Sequence, residues 1–172
     1  MELLNFDYKD FEQFLFVLFR VAAFILFAPV LGSRQFPILV KAGFILMFSL
    51  TIFPTVRNHG LPEPTGLLGL SVYLFVELLI GLAIALACRM VFTAVQIGGT
   101  MVDFQMGFGV VNVIDPQTET QVSVTAQFQN IFTILLYLAL NAHHTTILAL
   151  VESFQLINIK EFSFDGTVMS FM

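Results

Sequence analysis

Four long apolar runs, at residues 11–28, 38–53, 67–95 and 128–151, alternate with short polar or proline-rich stretches. Each run is helix-compatible, so the pattern predicts an all-α chain built of hydrophobic helical hairpins. The first run opens at Asp10, with Gln13 three positions on, the spacing of a capping box. At ~1.5 Å per residue its 18 to 20 residues, roughly, approach the ~30 Å hydrocarbon thickness of a bilayer. Residues 29–37, PVLGSRQFP, form a connector bounded by prolines. The run at 38–53 is short for a full span and is expected to end at Pro54. Residues 57–65, RNHGLPEPT, predict an exposed loop in which His59 is solvated. Residues 118–129 are a polar lead-in to the last apolar helix. Residues 152–172, with Lys160, Glu161 and Asp165, are expected to form an interfacial tail or connector.

The stretch at 98–117, GGTMVDFQMGFGVVNVIDPQ, departs from this alternation. Gly98, Gly99, Gly107 and Gly109 loosen any helix, and Val110, Val111, Val113 and Ile114 disfavour one through β-branching. Asp115-Pro116 closes it, because the residue before a proline avoids helical backbone. The segment is therefore expected to be non-helical throughout, yet its side chains are those of a core rather than of a solvated loop. Irregular backbone at membrane depth survives only inside protein or along a cavity. The stretch thus predicts an apolar plug or lining in a larger assembly. Met101, Phe104, Met106 and Phe108 would make it deformable, and an apolar constriction blocks ions by dewetting.

Composition moves the picture from helical to membrane-type. The 172 residues are 58% hydrophobic and only 11% charged, with 21 Phe and a mean hydropathy of +0.90. Soluble domains carry about 25% charged residues. A net charge of -5 with scattered Lys and Arg excludes a basic nucleic-acid surface. The single cysteine, Cys88, is expected to be a small buried hydrophobe. No basic region precedes the first run and no small-residue cleavage site follows it, so that helix is expected to be retained. Without internal repeats, residues 1–172 are expected to form a single helical domain.

The candidate polar sites are few. Arg20 interrupts the first run and must face protein or water, bonded to carbonyls or to a carboxylate. Glu77 and Arg89 lie too far apart for an i,i+4 pair, so each needs a partner elsewhere. Glu77 is expected to be structural, the alternative being a proton relay. Gly81, Ala83, Ala85 and Ala87 offer small residues for close helix packing. Asn141, His143 and His144 are expected to make polar contacts at a helix terminus or to a partner; adjacent histidines are not the i,i+4 pair of a metal site. No phosphate loop, HExxH, GxSxG or paired-cysteine motif is present, so neither enzyme chemistry, a cofactor nor a metal is expected.

Several of these residues, in order, resemble one family: the R subunits of flagellar type III protein export gates. Ala28-Pro29, Ser33-Arg34, Pro37 and 40–43 (Val-Lys-Ala-Gly) are similar to that family's first connector, and 79–83 (Leu-Ile-Gly-Leu-Ala) to its third helical segment. Gln105-Met106-Gly107 followed by Asp115-Pro116 is similar to its central loop. Residues 140–144 (Leu-Asn-Ala-His-His) are similar to its following helix, where the family commonly has Gly at the position of Ala142. The resemblance implies a subunit of a helical pore that assembles with P and Q subunits, sitting largely above the membrane plane in the flagellar basal body at the bacterial inner membrane, with the A and B export subunits nearby. Unfolded export substrates would pass through it. The plug would fall on Gln105, Met106, Gly107, Phe108, Gly109, Val110, Val111, Asn112, Val113 and Ile114. Some relatives carry aromatic plug residues where this chain has Val110 and Val113. The chain would be the part of an R subunit that resembles a P subunit, stopping at Met172 before a Q-like hairpin. The alternatives are the equivalent subunit of a virulence injectisome, an ion-coupled transporter using Arg20, Glu77 and Arg89, and an intramembrane enzyme using His143 or His144.

Overall fold

A computed structural model describes residues 8–33, 36–57, 66–107 and 123–157, and those residues form five helices without a strand. They are α1 (Tyr8–Phe27), α2 (Ile38–Arg57), α3 (Gly66–Gln105), α4 (Val124–Ala139) and α5 (Ala142–Leu156). Of the expected loop at 57–65 only Arg57 is described, as the last residue of α2, and of the expected tail at 152–172 residues 152–156 are instead the last turn of α5; residues 58–65 and 158–172 lie outside the described residues.

The core is organised around α1. Phe16, Val17, Val21, Phe24, Ile25 and Ala28 recur at helical spacing and form one buried stripe. Against it pack Ile52, Phe53 and Val56 of α2, Ala85 of α3, and Leu150 and Phe154 of α5. Each large side chain so buried contributes about 1.5–3 kcal/mol. The register shows the helix directions. Phe16 meets Tyr73 and Arg20 meets Glu77, both at an offset of 57 residues, so α1 and α3 run parallel. Phe14 meets Phe53 edge-on while Phe24 and Phe48 share a pocket, so α2 runs antiparallel to both.

The long α3 serves two neighbours in succession. Its first half lies on α1, with buried Gly81 at the crossing: a Cβ there would lie 2.3 Å from the Arg20 carbonyl oxygen. Ala85, one turn on, is also buried, whereas Ala83 and Ala87 are exposed. Only part of the expected small-residue set is therefore used for contact. Its second half pairs antiparallel with α4. Phe92 meets Tyr137, Gln96 donates to Asn130 at 3.0 Å, and Asp103 meets Ser123.

Three boundaries correct the sequence reading. Residues 98–105 are helical, because Gly99 is where α4 comes closest: a Cβ would lie 2.5 Å from Ala126 Cα. The glycine there serves packing rather than flexibility, and tertiary contact overrides propensity. No contact explains glycine at 98. Helix α2 continues through Pro54 to Arg57, a break point tolerated because only three residues follow the proline. The single helix expected over 128–151 is two, bent by 69°, because Asn141 adopts left-handed backbone (φ 54°) between them.

Among the described residues, two helices are long and apolar enough to cross a membrane singly, α2 over Ile38–Val56 and α3 over Gly66–Gln105. Helix α1, expected to approach a span, is instead the core helix, with Asp10, Glu12 and Arg20 along it. At 40 residues α3 is ~60 Å long, twice the ~30 Å of a bilayer's hydrocarbon core. The outer faces are apolar as well: Leu39 is 83% and Leu67 87% exposed, with Leu46, Met47, Phe75, Met90 and Phe104 also uncovered.

The crossing at Gly81 gives a first prediction. Gly81→Ala forces the α1 and α3 backbones apart and lowers stability by roughly 1–3 kcal/mol. Gly43→Ala, at a site with nothing within 4 Å, has little effect. Thermal unfolding of the detergent-purified protein compares the two; equal melting temperatures would refute the close crossing.

Candidate functional site

Two polar features stand out from the apolar body: an ion cluster in the core and a hairpin that holds the ends of the central stretch. In the first, the Arg20 side chain donates from Nε to Glu77 Oε2, and from Nη1 to the Ser153 hydroxyl at 3.0 Å. Its guanidinium carbon stands 3.9 Å from the centre of the Phe154 ring. Ser153 in turn donates to the Leu150 carbonyl at 2.6 Å. Arg20 and Glu77 are almost completely buried, and Glu77 Oε1 has no hydrogen-bond partner among the described residues. The planar guanidinium joins α1, α3 and α5 at one point, using its fork of donors and its affinity for a ring face. Glu77 thus finds its partner one helix away, in Arg20 rather than Arg89.

The second feature is the α3–α4 hairpin. Helix α3 ends at Gln105, where the Met106 amide still bonds to the Val102 carbonyl at 2.9 Å and Gly107 turns left-handed (φ 79°). This is a helix C-terminus closed by glycine. Gln105, Met106 and Gly107 are exposed at this end. Phe108, Gly109, Val110, Val111, Asn112, Val113 and Ile114 lie outside the described residues. The chain returns at Ser123, the N-cap of α4, whose hydroxyl accepts from the Ala126 amide at 3.0 Å. Asp103 faces it and accepts from the Ser123 hydroxyl. Sequence reasoning missed Asp103, Ser123 and Ser153. The available signal was an acid amid TMVDFQM followed, beyond the apolar stretch, by a serine at a helix start.

The remaining candidates are scattered. Arg89, Asn141 and His144 are exposed rather than buried. Arg89 lines a polar cleft of about 240 Å³ with Ser33, Thr93, Gln96 and Asn130. Asn141 acts through its backbone at the α4–α5 bend. His143 lines an apolar groove of about 220 Å³ with Cys88, which is half-buried there, and Tyr137. The His143 and His144 rings are 4.2 Å apart, and the Tyr137 and Thr146 hydroxyls bond at 2.7 Å. Among the described residues no three His, Cys, Asp or Glu side chains are grouped to hold a metal ion. The arrangement positions helices and presents apolar surface; the candidate side chains are not gathered into one catalytic constellation.

The core cluster yields a second prediction. Glu77→Gln leaves the Arg20 charge buried without its counter-ion and costs about 3–5 kcal/mol, whereas Arg20→Met with Glu77→Leu recovers most of that loss. Melting temperatures of the two variants in detergent report the difference; a Glu77→Gln protein as stable as the parent would remove the pair from its structural role.

With this geometry in place, comparison with known proteins is informative. Residues 11–172 match the model of the family described as bacterial export proteins, family 1. The chain is similar to the flagellar biosynthetic protein FliR of Bacillus subtilis, 36% identical over 154 residues that cover 88% of this chain and 58% of the relative. For the protein of the same name from Escherichia coli, identity is 31% over 143 residues, covering 83% and 54%. For that of Caulobacter vibrioides it is 29% over 135 residues, covering 78% and 54%. The chain therefore spans little more than half the length of these relatives. Matched along nearly its whole length, the chain belongs to family 1 of the bacterial export proteins.

Proposed function

We propose that this chain is the R-type subunit of the flagellar type III protein export gate, acting at the bacterial inner membrane in the flagellar basal body. It assembles with P- and Q-type subunits, next to the A and B export components, around a channel for unfolded flagellar proteins. The described helices correspond to the P-like part of that subunit. The family match and the relatives' names support this reading and favour the flagellar branch over an injectisome.

The observation that carries the proposal is the α3–α4 hairpin. A 40-residue apolar helix ends in a left-handed glycine, and its partner helix starts at a side chain bonded back to it. Between them lies the oily, valine-rich sequence 108–114. Such a hairpin presents the central segment at its tip, and Gln105, Met106 and Gly107 lead into it. In the closed state residues 105–114 occlude the channel, and the apolar lining excludes ions by dewetting. Arg89, Asn141 and His144, all exposed, are available to polar groups of neighbouring subunits, and the His143 ring lies against that of His144. The subunit needs no covalent chemistry for this role. Nor does the core pair suit an ion-coupled transporter: Arg20 and Glu77 neutralise each other inside protein, with Arg89 on the surface.

Deleting residues 110–114 from the chromosomal copy is expected to raise ion leakage across the inner membrane while the complex still assembles. Membrane-potential dye retention and flagellin export measure the effect. Leakage and export both at the parental level would overturn the plug assignment.

A further inference from the structure

The two ends of the central segment meet at one carboxylate. Asp103, in the last turn of α3, accepts at Oδ2 from the Ser123 hydroxyl and, more loosely at 3.4 Å, from the Thr125 amide. Ser123 is at once the partner of Asp103 and the cap of α4. One turn back along α3, Gly99 lets the two helices touch backbone to backbone at Ala126. Asp103 is only 5% exposed, and its second oxygen, Oδ1, is buried without a hydrogen-bond partner among the described residues.

The electrostatics of this placement are two-sided. Toward α4 the carboxylate faces a helix N-terminus, where free amides and the helix dipole favour negative charge. Toward α3 it stands in the last turn, where the unpaired carbonyls disfavour it. Asp103 is therefore stabilised by the partner helix and opposed by its own. Its favourable interactions with Ser123 and Thr125 exist only while the ends of α3 and α4 are together. The contact thus joins two separate helix ends, so it is lost whenever those ends separate.

Resting on the reading of residues 105–114 as a channel plug, we propose that Asp103 is the positioning residue that latches the two feet of the plug together through Ser123, and that this latch parts when the channel opens. Losing a hydrogen bond to a charged group raises the unlatched population by about ten- to hundredfold. Gly99 sets the distance at which the latch closes.

The test uses the full-length subunit in its assembled complex in cells, in a Cys88→Ala background. Asp103→Ala is expected to raise ion leakage with subunit co-purification unchanged, and Asp103→Asn, which keeps an acceptor for Ser123, is expected to leak less than Asp103→Ala. Asp103→Cys with Ser123→Cys, oxidised to a disulfide, is expected to keep the channel tight and stop export, and a reductant is expected to restore export. This pair is decisive even where Asp103→Ala fails to co-purify. Export that continues through the oxidised pair, or an assembled Asp103→Ala complex as tight as the parent, would overturn the latch. Deletion of residues 110–114 in the same assay separates the two readings. If the deletion leaks while the Asp103 and cysteine variants behave as the parent, the latch alone is wrong; if the deletion does not leak, the plug reading fails.

Discussion

A buried guanidinium and carboxylate fix the frame on which everything else hangs. Removing an arginine from water is expensive, and Arg20 offsets that cost by engaging groups from three directions at once: Glu77 on α3, the Ser153 hydroxyl on α5 and the Phe154 ring. Only one relative placement of the three helices satisfies it. Apolar side chains alone would allow α1 and α3 to slide, since leucines and valines pack acceptably in several registers. The ion pair, with Gly81 beside it, selects one. This is the use for which buried polar groups are best attested, specification of register rather than added stability.

From that frame α3 extends well beyond the core. Its first half is held by α1 and its second half by α4. The sides of α3 and of α2 remain oily, with Phe104, Met90 and Leu46 uncovered. Lipid could cover about half the length of α3 at most, by the ratio of its length to a bilayer's thickness. The remaining length of α3 extends past what hydrocarbon alone can cover. Core and outer faces thus contrast: the ion cluster fixes the packing of α1, α3 and α5, and the faces of α2 and α3 stay apolar and uncovered.

Much of this was legible in the residues, for identifiable reasons. The all-helical class followed from run length and composition, which survive any tertiary arrangement, whereas the number of helices did not, since the last run is two helices rather than one. That Arg20 and Glu77 would each need a polar partner followed from the cost of isolated charge, although that they would pair with each other did not, because the α1–α3 register is a long-range property. Gly98 and Gly99 misled. Glycine lowers helix propensity and also permits close helix contact, and only the position of Ala126 distinguishes the two uses. Asn141 looked like a polar residue on one long helix, and its left-handed backbone at the bend was not signalled by the apolar run around it. Arg89 and His144 lie on exposed surface, while His143, adjacent in sequence to His144, turns into an apolar groove, a difference that adjacency in sequence does not reveal.

The central claim is that this chain's oily exterior belongs to an assembly, and the most direct measurement is the size and dispersity of the detergent-solubilised protein by light scattering, with and without co-expressed hydrophobic export subunits. The account predicts a heterogeneous, protease-sensitive preparation for the chain alone and a single hetero-oligomeric species when the partners are present. A stable monodisperse monomer, unchanged by co-expression, would contradict it.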